Sequence, residues 1–300
     1  MKSKEISLAK RNAASIRNTS IVFLLPAIIF LCIFIVYPIF DSFKTSLYDW
    51  NGITSNKTFV GLDNWSELIK DPIFKKAFLN NIIIMVLSII IQLPIGMALA
   101  TFLDATGKKY NFLKVIWFLP MLMSSVSIGI LFKYALDANS GIISGISKLF
   151  GGQNIDLLGN PKTALLTITV AICWQFIPFY MVYFLAGYSN ISVDLYEAAI
   201  LDGATRSQYF WKIALAMLKP SIISAIILSM VGSLKYFDLI YVMTGGGPGN
   251  ASELMATYMY KSAFASYRMG YGSTIASGMF ILITVISLIT MKVLNQGKEV

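Results

Sequence analysis

The stretch DLYEAAILDGATRSQYFWKIALAMLKPSI, residues 194–222, lies between two long apolar runs and is unusually well formed for a connecting segment. Ser192 is placed to cap a helix, with Asp194 in its first turn, where a negative charge meets the partial positive charge of the helix start. The helix is expected to run through Leu195, Tyr196, Glu197, Ala198, Ala199 and Ile200 to Asp202. Gly203 then breaks it, because glycine accepts the backbone angles of a tight turn. Thr205 and Gln208 stand at capping-box spacing, so a second helix is predicted to start there. Phe210, Ile213, Ala214 and Met217 follow at i, i+3, i+4 and i+7 and give that helix one apolar face, with Arg206, Lys212 and Lys219 largely off it. The residues alone leave two readings of this helix–turn–helix. It is either an amphipathic segment that closes the gap between two spans or a rigid mount that presents Glu197 and its neighbours to a partner.

The surroundings of the segment set its context. Of the 300 residues, 56% are apolar and only 13% charged, and the mean hydropathy is +0.70. Soluble domains carry about twice that share of charge, so the composition is that of a membrane protein. Six stretches are long and apolar enough to cross the hydrocarbon core as helices, near 21–40, 82–103, 115–135, 164–188, 220–243 and 273–291. An all-α polytopic membrane protein of about six spans is the fold class this predicts. Pro26, Pro38, Pro94, Pro120 and Pro178 fall in or beside these runs and predict kinks, which neighbouring helices in a membrane can accommodate.

Residues 1–20 form a basic tail ahead of the first run. That run is too long for a secretory signal, and PIFDSFKTS after it offers no small-residue cleavage site, so an uncleaved anchor is expected. With the N-terminus inside, the inner segments hold 13 Lys and Arg in 71 residues, against nine in 98 for the outer ones. The positive-inside rule therefore predicts that both termini and the 189–219 loop are cytoplasmic. This distribution also accounts for the net charge of +9 without nucleic acid as a partner. Cys32 and Cys173 match no metal or redox spacing and read as free thiols in apolar surroundings. The chain has no histidine, which removes the commonest general base and metal ligand. No cofactor, metal or catalytic residue is predicted.

The residues EAAILDGATRSQYFWKI resemble the EAA loop of the permease subunits of binding-protein-dependent ABC importers. The family pattern is Glu-Ala-Ala, three residues, Gly, nine residues, Ile, one residue and Leu-Pro. Glu197, Ala198, Ala199, Gly203, Ile213 and Leu215 occupy their places, and Asp202 completes the "DGA" also found in the family. Ala216 stands where the pattern has proline. FDLIYVMTGGGPGNASELMATYMYKSAF, residues 237–264, is similar to the sugar-importer branch, and the resemblance covers most of the chain from the second span onward. It implies a type I permease fold with residues 21–74 as first helix and external segment, 75–292 as a five-helix core and 293–300 as a cytoplasmic tail. It further implies an ABC ATPase dimer, a second homologous permease, an external solute-binding protein, surrounding membrane lipid and a sugar substrate. In this family the loop is the coupling element, which receives a mechanical push from the ATPase.

TGGGPGN, residues 244–250, lacks the Gly-Lys-Ser/Thr ending of a phosphate-binding loop and lies on the predicted outer side, so a turn is expected there. No Walker A sequence occurs in the chain; any ATP hydrolysis would belong to another polypeptide. Charges within the spans are few. Lys133 and Asp137 are read as a local pair at an interface, while Lys235 and Asp238 are open to either a local or a functional reading. A sugar path calls for hydroxyls, amides and aromatic faces. Ser229, Ser233 and Tyr236 recur at i, i+4 and i+7 and place three hydroxyls on one face, at positions the family resemblance associates with sugar contact. Gln175, Phe176 and Tyr180 lie beside the Pro178 kink. With Asp238 these are the substrate-path candidates; ordinary packing of small hydroxyl residues between helices is the competing account. The expected function is the permease of an ATP-driven sugar or oligosaccharide importer. Alternatives are a permease for glycerol-3-phosphate or another solute, or a channel or secondary carrier. The scarcity of midplane carboxylates counts against a coupled carrier. A membrane enzyme is remote without a nucleophile–base set.

Overall fold

Inside hydrocarbon every backbone N–H and C=O must pair within its own segment, so the apolar runs have helix as their only economical form. A computed structural model of the chain describes residues 21–106 and 110–295. The predicted basic tail 1–20, part of the first inner loop (107–109) and the end of the C-terminal tail (296–300) lie outside the described residues.

Helix α1, Ile21–Thr45, contains a π-type turn at Cys32–Val36, and its apolar window is not buried by the rest of the chain at all. Its second half meets the body through Ser42, whose Oγ donates to the Ser273 carbonyl at 3.2 Å, and through Phe43, packed edge-on to Phe280. A two-residue antiparallel ladder follows, β1 (Tyr48–Asp49) with β2 (Thr58–Phe59), in the register Tyr48 opposite Phe59. Next come α2 (Asp63–Lys70) and α3 (Pro72–Thr106), the longest helix at 35 residues, with Pro94 in its interior.

The predicted third span is not one rod. It is two helices, α4 (Asn111–Leu122) and α5 (Ser125–Ala135), which meet at 90°. Pro120 removes a backbone donor near the end of α4, Met123 and Ser124 are extended, and the Ser124 hydroxyl accepts from the Val126 N–H to start α5. A short α6 (Ile142–Leu149) precedes α7 (Ala164–Tyr188), whose bounds match the predicted fourth span. The predicted loop contains α8 (Val193–Leu201) and α9 (Arg206–Tyr209). The chain continues through a π-type turn (Phe210–Ala214) and Leu215–Met217 into α10 (Lys219–Leu234). After a break, α11 (Asp238–Met243) completes the fifth span, α12 (Met255–Tyr260) lies beyond the glycine-rich turn, and α13 (Met269–Asn295) is the last span. Among the described residues five helical segments are thus long and apolar enough to cross a membrane, and the bent α4–α5 pair makes a sixth if taken as one span.

Three clusters hold these elements together. One joins α3, α5, α7 and α11 through Ile84, Ile128, Ile172 and Ile240. A second ties the predicted coupling segment to the ends of α3 and α7 through Met97, Phe184, Tyr188, Ala214 and Leu218. The third gathers the other ends of the spans around Phe74, Met255, Tyr271 and Ile275.

The expected Lys133–Asp137 pair is not made. The Asp137 carboxylate instead accepts from the Asn139 and Ser140 N–H groups at 2.9 and 2.8 Å, and the described residues hold no ion pair between it and Lys133. The backbone and hydroxyl of Ser140, then the Asn139 N–H, hold this carboxyl below the usual carboxylate range. A turn that offers three local donors competes successfully with one flexible lysine.

Candidate functional site

The helix–turn–helix forms as its local chemistry dictates. Ser192 Oγ accepts from the Asp194 N–H at 3.2 Å and starts α8. At the other end, the Gly203 N–H donates to the Ile200 carbonyl and the Ala204 N–H to the Ala199 carbonyl, at 3.0 and 2.9 Å. This is the double bond pattern of a Schellman stop, which requires a left-handed residue between the two helices. Gly203 has φ +80°, and a Cβ there would meet no atom within 4 Å, so the backbone angle rather than crowding demands glycine. The predicted capping box is present: Thr205 N–H donates to Gln208 Oε1 at 2.8 Å, and Gln208 N–H to Thr205 Oγ1 at 3.3 Å.

Within this frame Glu197, Ala198 and Asp202 are exposed, Ala199 is buried and Ile213 is half-buried. The apolar face of the second helix differs from the periodic expectation. Because of the π-type turn, the inward series is Phe210, Ala214 and Leu218, while Met217 is half exposed. The wider turn rotates the helix so that the residue after Met217 reaches the core.

The interior candidates fall into three groups. Phe176 packs edge-on to Tyr236, with centroids 5.7 Å apart, and the Tyr236 hydroxyl is in electrostatic reach of Asp238, Cys173 and Tyr180. Ser229 Oγ approaches the Tyr180 phenol without completing a hydrogen bond of ordinary geometry. Phe176, Tyr180, Ser229 and Tyr236 are therefore brought together between α7 and the fifth span. Gln175 and Ser233 are buried beside other elements. Gln175 Nε2 donates to Ser125 Oγ on α5 at 3.1 Å, and the Ser233 carbonyl accepts from Asn81 Nδ2 on α3 at 3.1 Å. Asp238 and Lys235 are both exposed and form no ion pair among the described residues. Gln175 Oε1, Ser229 Oγ and the Tyr236 hydroxyl are buried with no hydrogen-bond partner among the described residues.

Sequence reasoning missed polar members on α3. Ser88 Oγ is a further buried atom without a partner, and Gln92 Nε2 reaches Cys173 Sγ at 3.7 Å. The signal was available, since two polar side chains at i, i+4 within an apolar run mark one face of a helix.

On the opposite side of the molecule from the coupling segment, adjacent asparagines brace the connection between the last two spans. Asn80 Nδ2 donates to the carbonyls of Ala251 and Glu253, and Asn81 Oδ1 accepts from the Met255 N–H at 3.0 Å. The 244–250 segment is a turn, as expected: at Gly246, φ is +85° and a Cβ would collide with the buried Glu253 carboxylate, itself paired with Lys261. Nearby, Asp71 accepts from the hydroxyls of Tyr258 and Tyr271. Burial alone would raise its pKa, but these hydroxyls and the Ile73 and Phe74 N–H groups outweigh burial and hold it below the ordinary value.

A bundle of helical spans joined by a capped, exposed helix–turn–helix, with hydroxyls, an amide and aromatic rings gathered in its interior, has the form of a membrane transport component. Residues 92–300 match the family described as "Binding-protein-dependent transport system inner membrane component". The chain belongs to that family, a family of transport proteins rather than enzymes, and is a multi-pass membrane protein. It is 36% identical over 282 residues to the "Probable ABC transporter permease protein YurN" of Bacillus subtilis, covering 93% of this chain and 96% of that protein. It is 31% identical over 274 residues to the "Multiple sugar-binding transport system permease protein MsmF" of Streptococcus mutans, covering 90% and 93%. Its fold matches a chain of a bacterial ABC transporter involved in the import of the acidic polysaccharide alginate. The TM-score is 0.82 at 22% identity, over 95% of this chain and 99% of that one.

Proposed function

We propose that this chain is a permease subunit of an ATP-driven importer that carries a sugar or oligosaccharide across the cell membrane by alternating access. The observation that carries the reading is the rigid coupling segment. Its exposed Glu197 lies on α8, and the segment that follows is packed through Phe210, Ala214 and Leu218 against the ends of α3 and α7, in a chain with no nucleotide-binding motif of its own. Similarity to the multiple sugar-binding transport system permease protein MsmF supports the sugar class.

In this reading two copies of an ABC ATPase take the segment, a second homologous permease completes the pathway and an external solute-binding protein delivers the solute. Both termini are cytoplasmic. Closure of the ATPase dimer displaces α8 and α9; Ala214 and Leu218, packed with Phe184 and Tyr188, carry the displacement into α7 and α10. Helix α7 bears Gln175, Phe176 and Tyr180, α10 bears Ser229 and Ser233, and Tyr236 lies in the break just after α10. An unpaired polar atom in a dry interior costs about 1–3 kcal/mol, and the orphaned oxygens of Gln175, Ser229 and Tyr236 fit groups that hydrogen-bond water or solute hydroxyls during the cycle. The chain performs no covalent chemistry.

The test is co-purification from mild detergent with a tag on this chain, followed by mass spectrometry. Recovery of an ATPase and a second permease, and sugar-dependent stimulation of ATP hydrolysis by the cognate binding protein, is the expected result. Recovery of this chain alone in several detergents overturns it.

A further inference from the structure

The cavity that none of the above uses lies beneath the coupling segment. It has a volume of about 400 Å³, opens to the surface where Asp104 and Arg206 are exposed, and is bounded by the ends of α3 and α7 on one side and by α8 and α9 on the other. Its wall is aromatic: Tyr188, Tyr196, Tyr209 and Phe210 line it, with Tyr196 and Tyr209 packed edge-on at 5.0 Å and Tyr188 tied to Thr101 at 2.7 Å. Two opposite charges, Asp104 from α3 and Arg206 from α9, share the same lining. They form no ion pair with each other, and the Asp104 carboxylate makes no hydrogen bond or ion pair among the described residues; Lys114 acts on it only at long range. The Tyr209 phenol is pushed up by burial, then by the Asp104 charge and by Tyr196, which places its ring close to the carboxylate.

Two opposite charges in one cavity that do not close on each other suit a ligand that is itself dipolar. A carboxylate that is unpaired among the described residues and shares a lining with tyrosines suits an organic ammonium, which gains from both the charge and the aromatic faces. A guanidinium held apart on another helix suits a phosphate or carboxylate. The cavity also sits where two of the candidate spans end.

We propose that this cavity binds a zwitterion, with its ammonium on Asp104 among the aromatic rings and its anionic group on Arg206. The source is either the headgroup of an ethanolamine phospholipid or a soluble zwitterion of the same chemistry. A ligand here would touch both coupling helices and both spans that they move, so its occupancy would set how firmly the segment is braced. Assignment to the cytoplasmic leaflet rests on the orientation proposed above; binding does not.

The experiment uses the full chain with whatever subunits co-purify with it. It is placed in bilayer discs containing either phosphatidylethanolamine or phosphatidylglycerol, washed in detergent and analysed for retained lipid. A parallel arm titrates O-phosphoethanolamine into the phosphatidylglycerol sample by calorimetry. The wild type is expected to retain phosphatidylethanolamine over phosphatidylglycerol, and Asp104→Asn and Arg206→Gln to lower that retention about fivefold or more, the loss expected of one charge-assisted contact. Asp104→Glu should recover part of it. Saturable binding of O-phosphoethanolamine that both variants abolish supports the site and assigns it to a soluble ligand. Should Asp104→Asn fail to insert, Arg206→Gln, altered only at an exposed side chain, still decides the matter. Retention that is equal for the two lipids and unchanged in Arg206→Gln, with no O-phosphoethanolamine binding, overturns the proposal. That result would leave the importer reading untouched, whereas loss of the ATPase partner with zwitterion binding intact would fail the importer alone.

Discussion

At Tyr236 the chain holds a buried hydroxyl with no hydrogen-bond partner among the described residues, its ring edge-on to Phe176 and the group within electrostatic reach of Asp238, Cys173 and Tyr180. Removing such a group without changing the ring relieves an unsatisfied donor rather than breaking a bond. Tyr236→Phe is therefore expected to leave the melting temperature unchanged or raise it, by the equivalent of about 1 kcal/mol, while lowering solute uptake. Thermal unfolding in detergent and uptake into vesicles read the two effects separately. A fall in stability with normal uptake would make the hydroxyl structural. Ser233, by contrast, directs its carbonyl to Asn81. Its place in the i, i+4, i+7 hydroxyl series was plain from spacing, but the bracing asparagine 152 positions away was not.

At the scale of elements, the π-type turn decides which side chain locks the coupling segment to the spans. Leu218, 1% exposed, belongs to the core, and Met217, 50% exposed, does not. Leu218→Ala should cost about 2–5 kcal/mol, whereas Met217→Ala should stay within about 0.5 kcal/mol; chemical denaturation of the detergent-solubilised protein compares them. Equal effects would restore the regular helix.

The outer bracing carries a pH prediction. Asp71 links α3 to α12 and α13 through the Tyr258 and Tyr271 hydroxyls, and its folded pKa is depressed. A group of this kind contributes its stability above the unfolded carboxyl pKa and loses it as the pH falls through the lower folded value. Wild type should thus melt above Asp71→Asn at about pH 7, and the difference should vanish towards about pH 3, below the ordinary carboxylate range. A constant difference across that interval would show that the ionised carboxylate is not what stabilises the fold.

At the scale of the whole molecule, the 189–219 segment and the polar interior are joined by packed helices, and in the proposed cycle a push on one would be felt at the other. Glu197 is exposed and Gly203 takes a backbone angle that a branched side chain resists, at a cost of about 1–3 kcal/mol. Glu197→Lys and Gly203→Val are both expected to insert in the membrane and to lose ATP-driven uptake by an order of magnitude or more, while ATP hydrolysis by the partner persists. Uptake at the wild-type rate in both would sink the coupling role. Helix α1 belongs to the same scale: its apolar surface is left uncovered by this chain, as expected of a helix that faces lipid or a neighbouring subunit.

What the sequence by itself determined is local or compositional. Apolar length defined the spans, including the fourth span to the residue. The caps at Ser192 and Thr205 and the stop at Gly203 were legible because each is closed by atoms within five residues along the chain. The EAA pattern was legible only as a resemblance to a known family, since the residues themselves left a gap-closing helix equally open. Tertiary structure alone decided the rest. The 90° break at Met123 and Ser124 was hidden because a proline kink and a true bend look alike until neighbouring helices fix the angle. The shift from Met217 to Leu218 needed a π-type turn that no periodicity encodes. The interior set could be nominated from residue types, but which members meet depends on how α3, α7 and the fifth span pack, and that is settled by contacts between residues far apart in the chain. The Asp104–Arg206 cavity is the extreme case. Its charges lie on separate elements, 102 positions apart, and only the packing of α8 and α9 beneath the ends of two spans makes them face one space.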